Sequence, residues 1–246
     1  MSQLEQTVAR YRSLRLSAAA DELTSLLAEA EANEMSYLSF ADRLAEHELI
    51  QRQDKRIRRN RKMAAFPTEK RLEGFDYRHQ TAITKRQVNA LLDFQFLDER
   101  NNLVFIGPPG VGKTHLAIGI GYKAVEAGYR VLFRNALDLV EELELAEMKG
   151  ELKKRVSALA KYDLLIIDEL GYLPMTRQAR YNLFQLINSL YEYRSIILTT
   201  NKDFTSWGEF FHDDNVAVPI IDRVIHHSHI FMLGGESYRL KQKVTS

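Results

Sequence analysis

The chain has no cysteine. That excludes a disulfide framework, a thiolate metal site and a cysteine nucleophile. It has no apolar run of membrane-spanning length. Its first residues, Met1-Ser2-Gln3-Leu4-Glu5-Gln6, lack the basic stretch followed by an apolar one that marks a secretory signal. A soluble cytoplasmic protein is therefore expected. A dominant charge is lacking too: 34 Lys and Arg stand against 33 Asp and Glu. The net of +1 predicts no partner, so any information lies in how the charges are distributed. The 246 residues, 45% of them hydrophobic, suffice for one large domain or a domain with an appendage.

What is present is organised around one run. Leu103-Val104-Phe105-Ile106 reads as a buried parallel strand. It leads into Gly107-Pro108-Pro109-Gly110-Val111-Gly112-Lys113-Thr114, a complete Gly-x4-Gly-Lys-Thr phosphate-binding loop, then His115 and an apolar helix up to about Ala127. Gly128 is placed to end that helix. Polyphosphate needs many donors at close range. Glycines remove side chains, so that successive backbone N–H groups can curl around phosphate oxygens, and the helix start adds its unpaired N–H groups and positive dipole end. Residues Gly107 to His115 are the expected nucleotide-binding set. Lys113 would reach the β- and γ-phosphates, and the Thr114 hydroxyl would ligate Mg²⁺.

A second strand signal, Leu164-Leu165-Ile166-Ile167, ends in Asp168-Glu169. Ligands of open α/β sheets bind at the carboxyl ends of strands. Asp168 is expected to hold Mg²⁺ through its water shell, and Glu169 to orient or deprotonate the attacking water. Adjacent strand residues point to opposite faces, so the two carboxylates should differ in role. Ser195-Ile196-Ile197-Leu198-Thr199-Thr200-Asn201 is a further strand. Its final Asn201 would touch the γ-phosphate or the water if this strand lies between the other two.

The first third reads differently. Residues 3 to about 32 have helical spacing, with Leu4, Val8, Tyr11 and Leu14 followed by Leu23, Leu26 and Leu27. A second helical stretch begins near Ser36 or Ser39 and ends in a basic tail. Between residues 50 and 71 nine Lys or Arg face two Asp or Glu. A one-signed stripe of this kind (Arg52, Lys55, Arg56, Arg58, Arg59, Arg61 and Lys62) is an electrostatic footprint for phosphate backbone. No base-reading motif accompanies it, so contacts should be salt-sensitive and mainly to the backbone. Pro67 breaks the helix, and residues 67 to 80 form a linker. Its Phe75 and Tyr77 either line an adenine pocket or simply dock on the core. Two parts follow, a helical basic module over 1–66 and a nucleotide domain over 67–246.

Residues 84 to 97 suggest a helix covering the sheet. Residues 129 to 133 suggest another strand, followed by a helix capped by Asn135 with Asp138 in a capping-box-like position. Lys149, Lys153, Lys154 and Arg155 form a smaller basic cluster, equally readable as DNA contact or solvated helix face. His226, His227 and His229 are close in sequence, but without cysteine or helical histidine spacing they are not expected to bind metal. His212, Asp213 and Asp214 read as an exposed loop. Spacing alone assigns no role to Arg223 or Arg239.

Together, the phosphate loop, Leu164 to Glu169 followed by Leu170-Gly171-Tyr172, Thr199-Thr200-Asn201, Ile221-Asp222-Arg223 and Ser237-Tyr238-Arg239 resemble an AAA+ ATPase. Within that superfamily the chain resembles the IstB-like transposition helpers, with DnaC-type helicase loaders as close relatives. The likeness covers residues 65 to 243 strongly and the N-terminus more loosely. It implies an α/β three-layer sandwich with a five-stranded parallel sheet. It also implies ATP and Mg²⁺ as cofactors, ATP-driven homo-oligomers on double-stranded DNA, and recruitment and stimulation of a cognate transposase. By that resemblance Asn201 is a sensor, Arg223 a finger reaching a neighbour's ATP and Arg239 a second sensor. Residues 135 to 160 are the extra helical insertion that faces DNA. Few residues follow the last strand, so the usual helical lid is expected to be absent or vestigial. A helicase loader and a non-hydrolysing nucleotide-switch adaptor are the competing functions. A small-molecule phosphotransferase would not need this set of residues.

Overall fold

The computed structural model describes all residues except 172–174, 208–213 and 245–246. Tyr172 of the resemblance and His212 and Asp213 of the expected loop lie outside the described residues. The chain divides into two compact units, Met1–Arg59 and Asn60–Ser246.

The first unit is helical. The single helical stretch expected over residues 3–32 is two helices, α1 (Gln3–Ser13) and α2 (Ser17–Ala32). The break falls at Arg15, whose φ of 60° no helix accommodates. A third helix, α3 (Tyr37–Ala64), begins where expected, and the division between units falls within it. Ala19, Leu23, Leu26 and Leu44 form the core of the first unit, with Leu4, Val8, Tyr11 and Phe40 packed on it. Glu48 of α3 is buried against this core. The start of α2 has no side-chain cap of its own. Glu48 supplies one from another helix, accepting from the Ala19 N–H at 2.9 Å and from Arg52 Nε at 2.6 Å. Burial alone would raise the Glu48 pKa, but these bonds outweigh it and hold the carboxyl below its ordinary value.

The second unit begins at Asn60, earlier than the expected linker at Pro67. Asn60 is buried, and its amide donates to the carbonyls of Gly128 and Tyr129 at 3.3 and 3.4 Å. Arg61 lies 5.3 Å over the Tyr122 ring, and the Phe66 ring lies 4.4 Å from the same ring. The end of α3 is therefore anchored to the sheet domain. The expected helix over 84–97 is broken into α4 (Lys85–Ala90), a 3₁₀ turn (Leu91–Asp93) and α5 (Gln95–Asp98). Phe94, at φ 60°, forces the break and buries its ring.

Five parallel strands follow: β1 (Asn102–Ile106), β2 (Val131–Asn135), β3 (Leu164–Leu170), β4 (Ser195–Thr200) and β5 (Ser228–Met232). Their order is β2-β3-β4-β1-β5. The second strand starts two residues later than its sequence signal, because Arg130 precedes the ladder and chelates Asp163 instead. Connecting helices are α6 (Lys113–Glu126), α7 (Ala136–Met148), α8 (Leu152–Leu159), α9 (Arg177–Leu190), α10 (Asp214–Ile225) and α11 (Tyr238–Val244). The near-continuous apolar strands β1, β3 and β4 are buried throughout or nearly so, as parallel strands covered on both faces must be. Asn135 does cap α7, but by accepting from the Leu137 N–H at 3.0 Å, with no capping box to Asp138. Among the described residues no helix is long and apolar enough to cross a membrane.

The tertiary cap makes one prediction. Glu48→Ala leaves the Ala19 N–H buried without an acceptor, and should destabilise the helical unit by roughly 1.5–3 kcal/mol. Denaturant melts followed by circular dichroism read this directly. Because the folded-state pKa is depressed, the wild-type contribution is present above the unfolded value and lost as pH falls through the folded one. The variant should lack that acid-side loss.

Candidate nucleotide site

Sheet order decides what meets what. Because β4 lies between β3 and β1, the ends of all three strands converge beside the phosphate loop. The Gly107 N–H donates to the Thr200 carbonyl at 3.1 Å, which fixes the start of the loop against β4. Gly110 and Gly112 have φ of 84° and 100°, open to glycine at no steric cost. At all three glycines close packing also forbids a side chain. A Cβ would lie 2.1 Å from Leu233 O at Gly107, 2.1 Å from Ser237 Oγ at Gly110 and 2.6 Å from Phe75 Cε2 at Gly112.

Lys113 and Asp168 are each 5% exposed. Lys113 Nζ donates to the carbonyls of Gly107 and Pro108 at 2.7 and 2.8 Å, and burial pushes its pKa down. Asp168 Oδ1 accepts from Thr114 Oγ1 at 2.8 Å and from Thr199 Oγ1 at 2.6 Å. Burial pushes the Asp168 pKa up; the two hydroxyls and Lys113 offset this only in part, while neighbouring Glu169 adds to it. A buried carboxylate compensated mainly by hydroxyls, with a second hard oxygen at Thr114, is a donor set that suits Mg²⁺. On binding, a divalent cation would supply the missing positive charge.

Asp168 and Glu169 do not simply alternate across a regular strand. The β3–β4 register shifts between Ile167 and Leu170, and Glu169 has φ 62°. Such a bulge re-aims side chains at a strand end. The Glu169 N–H donates to Thr199 Oγ1 at 2.9 Å, so one hydroxyl orients both acidic residues. Asn135, at the end of β2, donates Nδ2 to Glu169 Oε2 at 3.1 Å. Neither Thr199 nor Asn135 stood out in the sequence as a contact of the acidic pair. Only the sheet order brings them there. Asn201 follows β4 directly, and its Oδ1 is buried without a hydrogen-bond partner among the described residues.

A cavity of about 460 Å³ opens over the loop, lined by Pro109 to His115 on one side and by Glu169 and Arg239 on others. Its remaining wall is the linker. Phe66 and Leu72 pack so closely on α6 that a Cβ at Gly121 or Gly119 would lie 2.9 or 2.6 Å from them. With Phe75 on Gly112, residues 66 to 75 seat three apolar side chains against three glycines. Gln80, buried, donates to the carbonyls of Val111 and Gly234 at 3.0 Å each. Phe75 lines the cavity and docks on the core at once, whereas Tyr77 packs its ring 4.8 Å from Phe75 and does not line the cavity. His115 lines it too, but its Nε2 is committed to the Arg71 carbonyl at 2.7 Å.

The two arginines part company. Arg239 sits on the short helix α11, which the Tyr238 N–H docks on Gly110 O at 3.1 Å, and it faces the cavity. Arg223 sits on α10. The carbonyl beside it, of Val224, accepts from Asn102 at the start of β1. It is therefore at the opposite end of the sheet, a strand length of roughly 15 Å from the phosphate loop, and cannot serve the cavity of its own chain. Among the described residues no group of three or more His, Asp or Glu side chains is placed to hold a metal ion.

These features define a P-loop nucleotide-binding domain of AAA+ type. The family model described as IstB-like ATP binding protein matches residues 9–246, and the chain belongs to that family. A protein of insertion sequence IS5376 from Geobacillus stearothermophilus, named for ATP binding, is 41% identical over 230 residues, covering 94% of this chain and 92% of its own. Its counterpart from insertion sequence IS21 of Pseudomonas aeruginosa is 41% identical over 243 residues, covering 99% and 91%. In fold, the chain is similar to the DnaC helicase loader (TM-score 0.52, 23% identity, 60% of this chain and 86% of that one). It is also similar to the replication initiator DnaA bound to AMPPCP and single-stranded DNA (TM-score 0.54, 21% identity, 72% and 54%).

Gly112→Ala should displace Phe75 and strain the loop, weakening ATP binding about tenfold or more. Gly150 also has positive φ but meets nothing within 4 Å, so Gly150→Ala should leave affinity intact. Titration with a fluorescent ATP analogue compares the two. Equal affinities would mean that the linker's packing on the loop does not matter for binding.

Proposed function

We propose that this ATP-binding insertion-sequence protein hydrolyses ATP and assembles on double-stranded target DNA, where it recruits and stimulates its transposase. The observation carrying the reading is the convergence of Lys113, Thr114, Asp168, Glu169 and Asn201 at adjoining strand ends, with Arg223 at the far end of the same sheet. The names of the curated relatives support the insertion-sequence setting.

In this reading the loop amides and Lys113 bind the triphosphate, and Lys113 exchanges its two carbonyl acceptors for phosphate oxygens. Thr114 and Asp168 would hold Mg²⁺, whose charge would offset that of the phosphates. Glu169, released from Asn135, takes a proton from the attacking water, and Asn201 orients that water or the γ-phosphate. Arg239 contacts phosphate from α11. Arg223 completes the site of a neighbouring subunit, so ATP bridges subunits and hydrolysis dismantles the assembly.

The basic tail of α3 is the proposed DNA contact, with Lys149 and Lys153 as a second. Its members are unequal. Arg52 is bonded to Glu48 and the Arg15 carbonyl, and Arg61 to Glu69. Arg58 Nε donates to the Asp54 carbonyl. Lys55, Arg56, Arg59 and Lys62 form no ion pair with a described residue and are exposed. In the second cluster Lys154 pairs with Glu151 and Arg155 with Glu142, leaving Lys149 and Lys153. A DnaC-like helicase loader is the alternative, favoured by the fold likeness alone.

Glu169→Gln should bind ATP normally, abolish turnover and lengthen the lifetime of the DNA complex. An unchanged lifetime would remove hydrolysis as the disassembly step. Reversing charge at Lys55, Arg59 and Lys62, which share one helix face, should weaken duplex binding regardless of sequence. It should also lower the salt slope by about one per lost contact, read by fluorescence anisotropy across salt concentrations.

A further inference from the structure

Arg223 is held in an unusual way for a surface arginine. It forms no ion pair with any described residue. Its Nε donates to Asn188 Oδ1 and its Nη1 to the Pro219 carbonyl, both at 3.0 Å. Its Cζ lies 5.3 Å from the Phe184 ring centroid and 5.8 Å from that of Tyr191, within cation–π range. Phe184, Asn188 and Tyr191 are spaced i, i+4, i+7, so one face of α9 and its C-cap supplies every side chain of the seat, and the Pro219 carbonyl of α10 completes it. Tyr191 is fixed in turn: its hydroxyl is 2.8 Å from His226 Nδ1, and its ring stacks with His227 at 6.4 Å.

Each contact restrains the guanidinium without neutralising it. A carboxylate partner would fix the group equally well but cancel the charge. Neutral carbonyl acceptors and aromatic faces keep the full positive charge while removing rotamer freedom, leaving the remaining N–H donors for an external anion. A long side chain held this way loses less entropy on meeting a phosphate, and is already placed where charge develops.

We propose that Phe184, Asn188 and Tyr191 are positioning residues for Arg223. They present its guanidinium, flat and charged, to the triphosphate of a neighbouring subunit. They would thereby set turnover in the assembly without touching nucleotide themselves. This rests on the proposed in-trans role of Arg223.

The test uses full-length protein on duplex DNA with saturating ATP. Asn188→Ala and Tyr191→Phe should each lower kcat, by about tenfold for Asn188→Ala, with ATP affinity and thermal stability at wild-type values. The decisive arm mixes Asn188→Ala with Lys113→Ala, each weak alone. Where a Lys113→Ala subunit offers its well-seated Arg223 to the intact ATP site of an Asn188→Ala subunit, turnover should recover severalfold. A folding defect would not be repaired by mixing, so absence of recovery overturns the proposal. Full activity in both Asn188→Ala and Tyr191→Phe, with Arg223→Ala inactive, overturns the seat but leaves the in-trans role standing. An active Arg223→Ala overturns both.

Discussion

The site turns on one buried carboxylate. Asp168 is almost without solvent, and its negative charge is met mainly by the hydroxyls of Thr114 and Thr199. Burial raises its pKa by disfavouring the charged form, a cost that a bound cation would relieve. The arrangement around it follows from that constraint. The parallel order β3-β4-β1 brings Thr199 from the adjacent strand and Thr114 from the loop and helix that follow β1, one strand further on. The bulge after Ile167 lets Glu169, the residue after Asp168, leave the strand direction and donate its N–H to the hydroxyl of the same Thr199. A stable hydrophobic sheet thus carries a strained, under-compensated terminus where ligands of such sheets bind.

Around that terminus the chain closes from both sides. The linker's Phe75 and Gln80 pack on the phosphate loop, and the segment after β5 docks Ser237 and Tyr238 on Gly110. Arg239 therefore reaches the cavity from a helix of seven residues. The glycines of the loop and of α6 have two separate uses here. Gly110 and Gly112 turn the backbone toward phosphate, whereas Gly119 and Gly121 admit Leu72 and Phe66 close to the helix axis. The first use concerns ligand and the second concerns packing, and both place the cavity wall.

Much of this was legible in the sequence, for definable reasons. The loop and the paired carboxylates are local patterns whose chemistry demands particular residues at fixed spacing, and four-residue apolar runs mark buried strands regardless of order. The placement of Asn201 depended on β4 lying between β3 and β1, and the sheet has that order. What escaped was tertiary. Asn135 reads as a helix cap, and it is one, yet its amide also holds Glu169 from β2, the strand beside β3 and three places from β1. Nothing in the sequence singles out Glu48, which caps α2 from another helix. Phe94 and Arg15 break helical patterns because aromatic burial and chain reversal outweigh local propensity. The basic tail was read as one stripe, while the structure commits Arg52 and Arg61 to contacts within the protein.

The central claim is that Asp168 is a cation-dependent charge, and calorimetric titration of ATP with Mg²⁺ and with chelator tests it most directly. In the wild type Mg²⁺ should strengthen ATP binding at least tenfold. In Asp168→Asn that increment should vanish while the Mg²⁺-free affinity stays the same or rises, since the repulsive carboxylate is gone. An equal Mg²⁺ increment in both proteins would contradict the account and place the cation's protein contacts elsewhere.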